Sequence, residues 1–226
     1  MCCRVTLVRK IGDVIEIIRP DKVSKGIRNF KPSFNASPGQ LLPLLFRENG
    51  SKNMELMLWG IKNSFNPDAG SFFNARMESV LEKKSFKDLM ESNRAVLLTD
   101  GYFEWKKKDG RKIPYYIRKP DGGLLPMAAL WDEGSPEKEF TVITREPVDD
   151  IKFIHDRMPA ILNDESLEAW LDPSNKPADA REILGTFAGD LEFYSVSPSV
   201  NSTANNSPEC IRRTDYPTTP DLFEIQ

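Results

Sequence analysis

Between residues 95 and 144 the chain carries four strand candidates, Ala95–Lys107, Pro114–Lys119, Met127–Trp131 and Glu139–Thr144. Only short turns rich in Lys, Asp and Gly separate them, too short for the helical crossover that a parallel pair needs. Such a run constrains the chain to a mainly antiparallel sheet. Further strand candidates lie outside it: Val5–Val8 and Asp13–Arg19, read as a first hairpin turning near Gly12, then Glu55–Ile61 and Leu191–Val200. Helical spacing is read over Asn74–Lys84 and Phe86–Glu91, and short helices over Asp149–His155, Glu165–Leu171 and Ala178–Phe187. Ile27–Gln40 reads as irregular, with Pro32, Asn35, Pro38 and Gly39 as turn signals, and Asn63–Gly70 as a polar loop carrying Phe65. No repeat or long linker divides the chain. The expectation is a single α+β domain over residues 1–226, built on a curved, barrel-like, mainly antiparallel sheet with peripheral helices.

At 226 residues, 29% charged and 39% hydrophobic, the chain is expected to be a soluble globular protein with a substantial core. No apolar run approaches the roughly 20 residues that cross a bilayer, and no membrane partner is expected. Three cysteines, an odd count without framework spacing, point to a reducing, cytoplasmic setting without structural disulfides. With one histidine in the chain and Cys210 isolated, neither a metal site nor a cofactor is expected. The net charge of −3 excludes a uniformly basic nucleic-acid binder but leaves room for a local basic cleft.

The N-terminus reads Met1-Cys2-Cys3-Arg4. Cysteine is small enough for the initiator methionine to be removed ahead of it, which leaves Cys2 with a free α-amine and a thiol on adjacent carbons. An α-amine with a pKa of about 7.7–8.0 is substantially neutral near pH 7. A 1,2-aminothiol condenses with an aldehyde to an imine, and the thiol then closes a stable thiazolidine ring. The ordinary alternative is a pair of small buried hydrophobes, as free cysteines usually are.

Three interior stretches are chemically distinctive. Asn74-Ala75-Arg76-Met77-Glu78 follows Phe72 and Phe73 and reads as a capped helix entry with a solvated face. In Gly101-Tyr102-Phe103-Glu104-Trp105, strand alternation sets Tyr102 and Glu104 on one face and Phe103 and Trp105 on the other. Glu104 belongs either to a solvent face or to a buried site where a cation or hydrogen-bond donor meets it. Ile154-His155-Asp156-Arg157-Met158-Pro159 holds the single histidine in a connection that Pro159 stiffens.

These blocks, with Met1-Cys2-x-Arg4, resemble the signature of the SOS response-associated peptidase (SRAP) family. Weaker agreement runs through Phe34–Pro38, Leu58–Gly60, Ala128–Trp131, Ala160–Leu162 and Val196–Ile211. The resemblance implies sensing of abasic sites in single-stranded DNA, with Cys2 forming a thiazolidine with the ring-opened sugar, and an associated lyase activity. It implies that Asn74, Glu104 and His155 surround Cys2, that Arg4, Arg76 and Arg157 line the DNA cleft, and that an aromatic, here Phe65, packs on a neighbouring base. Cys3 stands where the family commonly has glycine. A monomer that removes its own Met1 is expected. Two other readings compete: an N-terminal-nucleophile cysteine peptidase or amidohydrolase using Cys2, His155 and Glu104, and a non-covalent single-strand-binding module.

Overall fold

In the computed structural model, which describes residues 3–64, 66, 68, 70–134, 136–187 and 189–214, strand β1 (Val5–Leu7) leads at once into helix α1 (Ile11–Ile18). There follow β2 (Lys22–Val23), β3 (Ser33–Ala36), β4 (Leu41–Glu48), β5 (Ser51–Trp59), β6 (Ile61–Lys62), β7 (Ser71–Phe72) and β8 (Asn74–Arg76). Helix α2 (Lys84–Ser92) precedes β9 (Arg94–Leu97), β10 (Gly101–Lys108), β11 (Arg111–Arg118), β12 (Met127–Asp132) and β13 (Glu139–Arg145). The described chain closes with β14 (Met158–Pro159), α3 (Asp164–Leu171), α4 (Pro177–Ile183) and β15 (Glu192–Ser195).

Strands β13, β12, β9, β4 and β5 follow one another by antiparallel pairing, and β5 then pairs in parallel with β13 through Glu139 opposite Leu58 and Phe140 opposite Trp59. The ring is closed. Closure removes the sheet edges that would otherwise expose unpaired backbone. Alternate residues divide between two apolar faces. Leu44, Phe46, Leu97, Ala129 and Val142 meet Val5, Tyr102 and Ile117 of a second sheet, while Leu45, Val96, Leu130 and Ile143 meet Val14, Phe86, Met90 and Trp170 of α1, α2 and α3. Burial on both faces explains why these strands read as near-continuous apolar runs.

The second sheet, in the order β15-β11-β10-β1-β3, is antiparallel throughout. Tyr102 and Ile117 face the first sheet, whereas Phe103 and Tyr116 pack on Val196, Val200 and Cys210. The expected α+β fold with a curved, barrel-like, mainly antiparallel sheet is the one observed. Its two long hairpins close on two-residue turns, Asn49-Gly50 and Asp109-Gly110, with φ of 52° and 76° and of 50° and 73°. These positive angles match the twist of the flanking strands and favour Asn, Asp and Gly.

Several local expectations are corrected. Ile11–Ile18 is a helix, not the second arm of a hairpin: Ile11, Val14, Ile15 and Ile18 recur at i, i+3, i+4 and i+7 and turn toward the helix-covered core. The sequence Val14-Ile15-Glu16-Ile17-Ile18 suits either period, and tertiary packing selects the helical one. Asn74–Arg76 is a short strand parallel to β13 rather than a helix entry, and a single 3-10 turn, Met77–Ser79, separates it from α2. Asp149–Ile151 is likewise one 3-10 turn, and the last strand ends at Ser195, short of Val200. Lys25–Asn29 and Ser33–Ala36 give regular structure within the stretch read as irregular. The long candidate from Ala95 breaks at Thr99-Asp100, where the chain crosses from one sheet to the other: Leu98 donates to Pro43 O and Asp100 to Thr6 O. Among the described residues no helix is long and apolar enough to cross a membrane.

Candidate active site

Glu104 lies on the Tyr102 face of β10, the face turned toward the first sheet. Its side chain therefore projects into the seam between the two sheets and is only 2% exposed. Burial pushes its carboxyl up to about 7, with the Asp156 carboxylate adding to the rise and the Trp105 backbone opposing it. A carboxyl raised toward neutral pH can serve there as either proton donor or proton acceptor.

Two further elements reach this seam from β13. Strand β8 pairs beside it, Val142 opposite Asn74. The connection from β13 to β14 carries His155, whose Nε2 lies 3.9 Å from Oε2 of Glu104. His155 Nδ1 accepts the backbone N–H of Arg157 at 3.0 Å and also lies 2.9 Å from Asp156 Oδ1. One nitrogen cannot accept from the first and donate to the second. The backbone N–H is a fixed donor, whereas Asp156 has a side chain 89% exposed and free to turn to water, so Nδ1 is the acceptor and the ring hydrogen sits on Nε2, toward Glu104. Burial draws the imidazole below its ordinary pKa, Asp156 opposing and Lys107 contributing, which favours the neutral ring.

The start of the chain enters the same seam. The β1–β10 register sets Val5 opposite Tyr102, and Phe103 N donates to Arg4 O, so the next antiparallel step sets Cys3 against Glu104. Asn74 Nδ2 lies 3.2 Å from Cys3 Sγ, and Asn74 Oδ1 is buried with no partner among the described residues. Burial raises the Cys3 thiol pKa against that hydrogen bond, which keeps the thiol protonated. Beyond Glu104 the edge of β10 borders a cleft of about 490 Å³ lined by Glu104, Trp105, Lys107, Lys112, His155 and Asn201.

The sequence profile described as SOS response associated peptidase (SRAP) matches residues 1–203. The chain belongs to this family. Among its relatives, abasic site processing protein YoqW of Bacillus subtilis is 35% identical over 223 residues, covering 93% of this chain and 99% of that protein. Abasic site processing protein HMCES of Gallus gallus is 31% identical over 233 residues, covering 85% of this chain and 69% of that protein. A crystallised protein from Bacteroides thetaiotaomicron has the same fold, with a TM-score of 0.83 at 23% identity over 94% of this chain and all of its own.

Of the SRAP residues singled out in the sequence, the fold brings Asn74, Glu104 and His155 together around the N-terminal strand. Cys2 and Phe65 lie outside the described residues. The three arginines are placed differently from one another. Arg76 is exposed, and its guanidinium makes no hydrogen bond or ion pair among the described residues. Arg157, by contrast, forks onto Glu78 at 2.8 and 2.9 Å and donates to Thr144 O at 2.6 Å. Arg4 donates to Asn35 Oδ1 and Val200 O, both at 2.7 Å, and lies 5.7 Å from the centre of the Trp105 ring. Glu78 is thus an arginine's partner rather than part of a plain solvated face.

The sequence reading missed Trp105, Lys107, Lys112 and Asn201 as lining residues. The lysines had a local signal, the basic run from Lys106 to Lys112. Asn201 had none: it meets the site through a 2.7 Å hydrogen bond from Trp105 Nε1 across 96 positions of sequence. Among the described residues no group of three or more His, Cys, Asp or Glu side chains is placed to hold a metal ion.

Proposed function

We propose that this protein processes abasic sites in single-stranded DNA by forming a thiazolidine crosslink through Cys2 once Met1 is removed, acting as a monomer in the cytoplasm. The observation that carries the reading is the convergence of Glu104, His155 and Asn74 on the strand that follows Cys2, in a chain whose relatives are named abasic site processing proteins.

The ring-opened sugar of an abasic site presents an aldehyde at C1′. The α-amine of Cys2 adds to that carbon, and Glu104 relieves the amine of its proton. The same carboxyl, now protonated, assists departure of the hydroxyl as water, leaving an imine. The Cys2 thiol then adds across the C=N bond, sulfur to carbon and its proton to nitrogen, and one water is lost overall. His155, with its hydrogen on Nε2, moves protons at the sugar oxygen during ring opening. Asn74 orients either partner without altering the charge. Arg76 holds a backbone phosphate, Arg4 and Arg157 shape the cleft from its walls, and Phe65 packs on a base beside the lesion. β-Elimination from the imine would give lyase activity.

Intact-mass analysis of the protein with and without an abasic single-stranded oligonucleotide tests this directly. The expected result is a protein lacking Met1 that gains the oligonucleotide mass less one water. A protein whose mass stays unchanged would overturn the proposal. A second reading, a peptidase acting through Cys2, draws on the family's own description and predicts turnover of a peptide instead of a stable adduct.

A further inference from the structure

Phe153 stands two residues ahead of His155 and is 45% exposed. A single exposed phenylalanine is ordinary. This one is held in place. Tyr115, which sits opposite Glu104 in the β10–β11 register, meets its ring at 5.8 Å and 89°, and Phe193 meets it at 5.5 Å and 62°. Two rings set steeply against a third fix its orientation while nearly half its surface stays open to solvent. The Lys106 ammonium lies 4.7 Å from the ring centre. An exposed cation–π contact of this kind is weak, so the flexible lysine can exchange the ring for an anion at little cost.

Lys106 also begins the most basic stretch of the chain. Lys106, Lys107, Lys108, Arg111 and Lys112 surround the Asp109-Gly110 turn, five cations against one carboxylate in a protein of net charge −3. Lys107 and Lys112 line the cleft that holds Glu104 and His155. A rigid open ring beside a row of cations suits a strand that alternates flat bases with phosphates, and stacking of this kind tolerates any base.

We infer that Phe153 and Lys106 form a platform on which a nucleobase flanking the abasic site stacks while the β10–β11 hairpin holds the adjoining phosphates. This rests on the single-strand reading proposed above. It adds Phe153, Lys106 and the β10–β11 hairpin to the contacts proposed above.

The test uses abasic single strands with 2-aminopurine placed, one position at a time, at the two nucleotides on either side of the lesion. Stacking quenches its fluorescence. The unaltered protein is expected to quench one flanking position most strongly. Phe153→Leu keeps apolar contact with Tyr115 and Phe193 but lacks a π face; it should lose that quenching and raise the half-saturating protein concentration about tenfold. Phe153→Trp should restore both. Lys106→Gln should lower the slope of log affinity against log salt by roughly one unit, and this decides the matter should Phe153→Leu not fold. Quenching and affinity unchanged in Phe153→Leu, or an unchanged slope in Lys106→Gln, would overturn the platform alone, provided the unaltered protein binds and is attached to the strand. Failure of the unaltered protein to bind or attach would overturn the proposed function, and the platform with it.

Discussion

Both Nη atoms of Arg157 engage the carboxylate of Glu78, at 2.8 and 2.9 Å, and so tie the histidine-bearing connection to the turn that follows Asn74. Despite its partial burial, Glu78 is held below the usual carboxylate range by this fork. Two blocks separated by 79 positions thereby keep Asn74 and His155 in fixed relation. Arg76, two residues before Glu78, has no such partner among the described residues.

That contrast separates the two arginines experimentally. Arg76→Ala is expected to leave the melting temperature unchanged while lowering the salt slope of single-strand binding by roughly one unit. Arg157→Ala breaks a fork whose arginine side chain is 11% exposed and leaves Thr144 O without its donor. Its stability should fall by about 2 kcal/mol, a drop of roughly 4–8 °C in Tm. Equal melting temperatures for the two variants would refute this division of labour.

Glu104 links activity to a pH dependence of stability. Its carboxyl moves from an ordinary 4.5 to about 7 on folding. A raised carboxyl pKa means that the folded state keeps its proton longer, so the contribution of Glu104 to stability declines as pH climbs from about 4.5 to about 7 and is level on either side. Glu104→Gln removes that dependence. Relative to the unaltered protein, the variant should gain up to roughly 3 kcal/mol across this window, while adduct formation slows at least tenfold. Denaturant unfolding at pH 4.5, 6 and 8, with single-turnover crosslinking at pH 8, checks both. Parallel stability profiles would show that Glu104 does not titrate as a buried acid.

The two N-terminal thiols should behave differently. Cys2→Ser is expected to retain a borohydride-trappable imine but lose the heat-stable adduct, since oxygen closes the ring far less favourably. Cys3→Ser should crosslink normally, because its nitrogen is an amide and its thiol is a protonated partner of Asn74. One residue added ahead of Cys2 should abolish the adduct altogether. A denaturing gel with equal adduct from Cys2→Ser and Cys3→Ser would remove Cys2 from the mechanism.

Gly101 bears on the scaffold beneath these residues. A Cβ built there would lie 2.6 Å from Ile117 O and 2.7 Å from the Tyr116 ring. Backbone on one side and a buried ring on the other leave no room to yield. Gly101→Ala should therefore cost about 1–3 kcal/mol, read as a lower denaturant midpoint at constant m-value. An unchanged midpoint would show that β10 and β11 can part without penalty.

Residue order alone was enough for the apolar strands around Met127–Asp132 and Glu139–Arg145, because burial on both faces leaves an uninterrupted hydrophobic signal. It was enough, too, for a turn rich in Lys, Asp and Gly ahead of β11, which the structure sets at Asp109-Gly110. It was insufficient wherever two local conformations were nearly matched. Val14-Ile15-Glu16-Ile17-Ile18 satisfies the period of a strand or of a helix, and only the core formed by Ile27, Val96 and their neighbours chooses the helix. Asn74–Arg76 is extended because β13, whose paired residues Val142–Thr144 lie 68 positions later, takes up its backbone hydrogen bonds. Glu104 could equally have faced water. It is buried, with its carboxyl raised, because the Tyr102 face of β10 closes against the first sheet, and that approach is a property of the assembled fold rather than of the five residues around it.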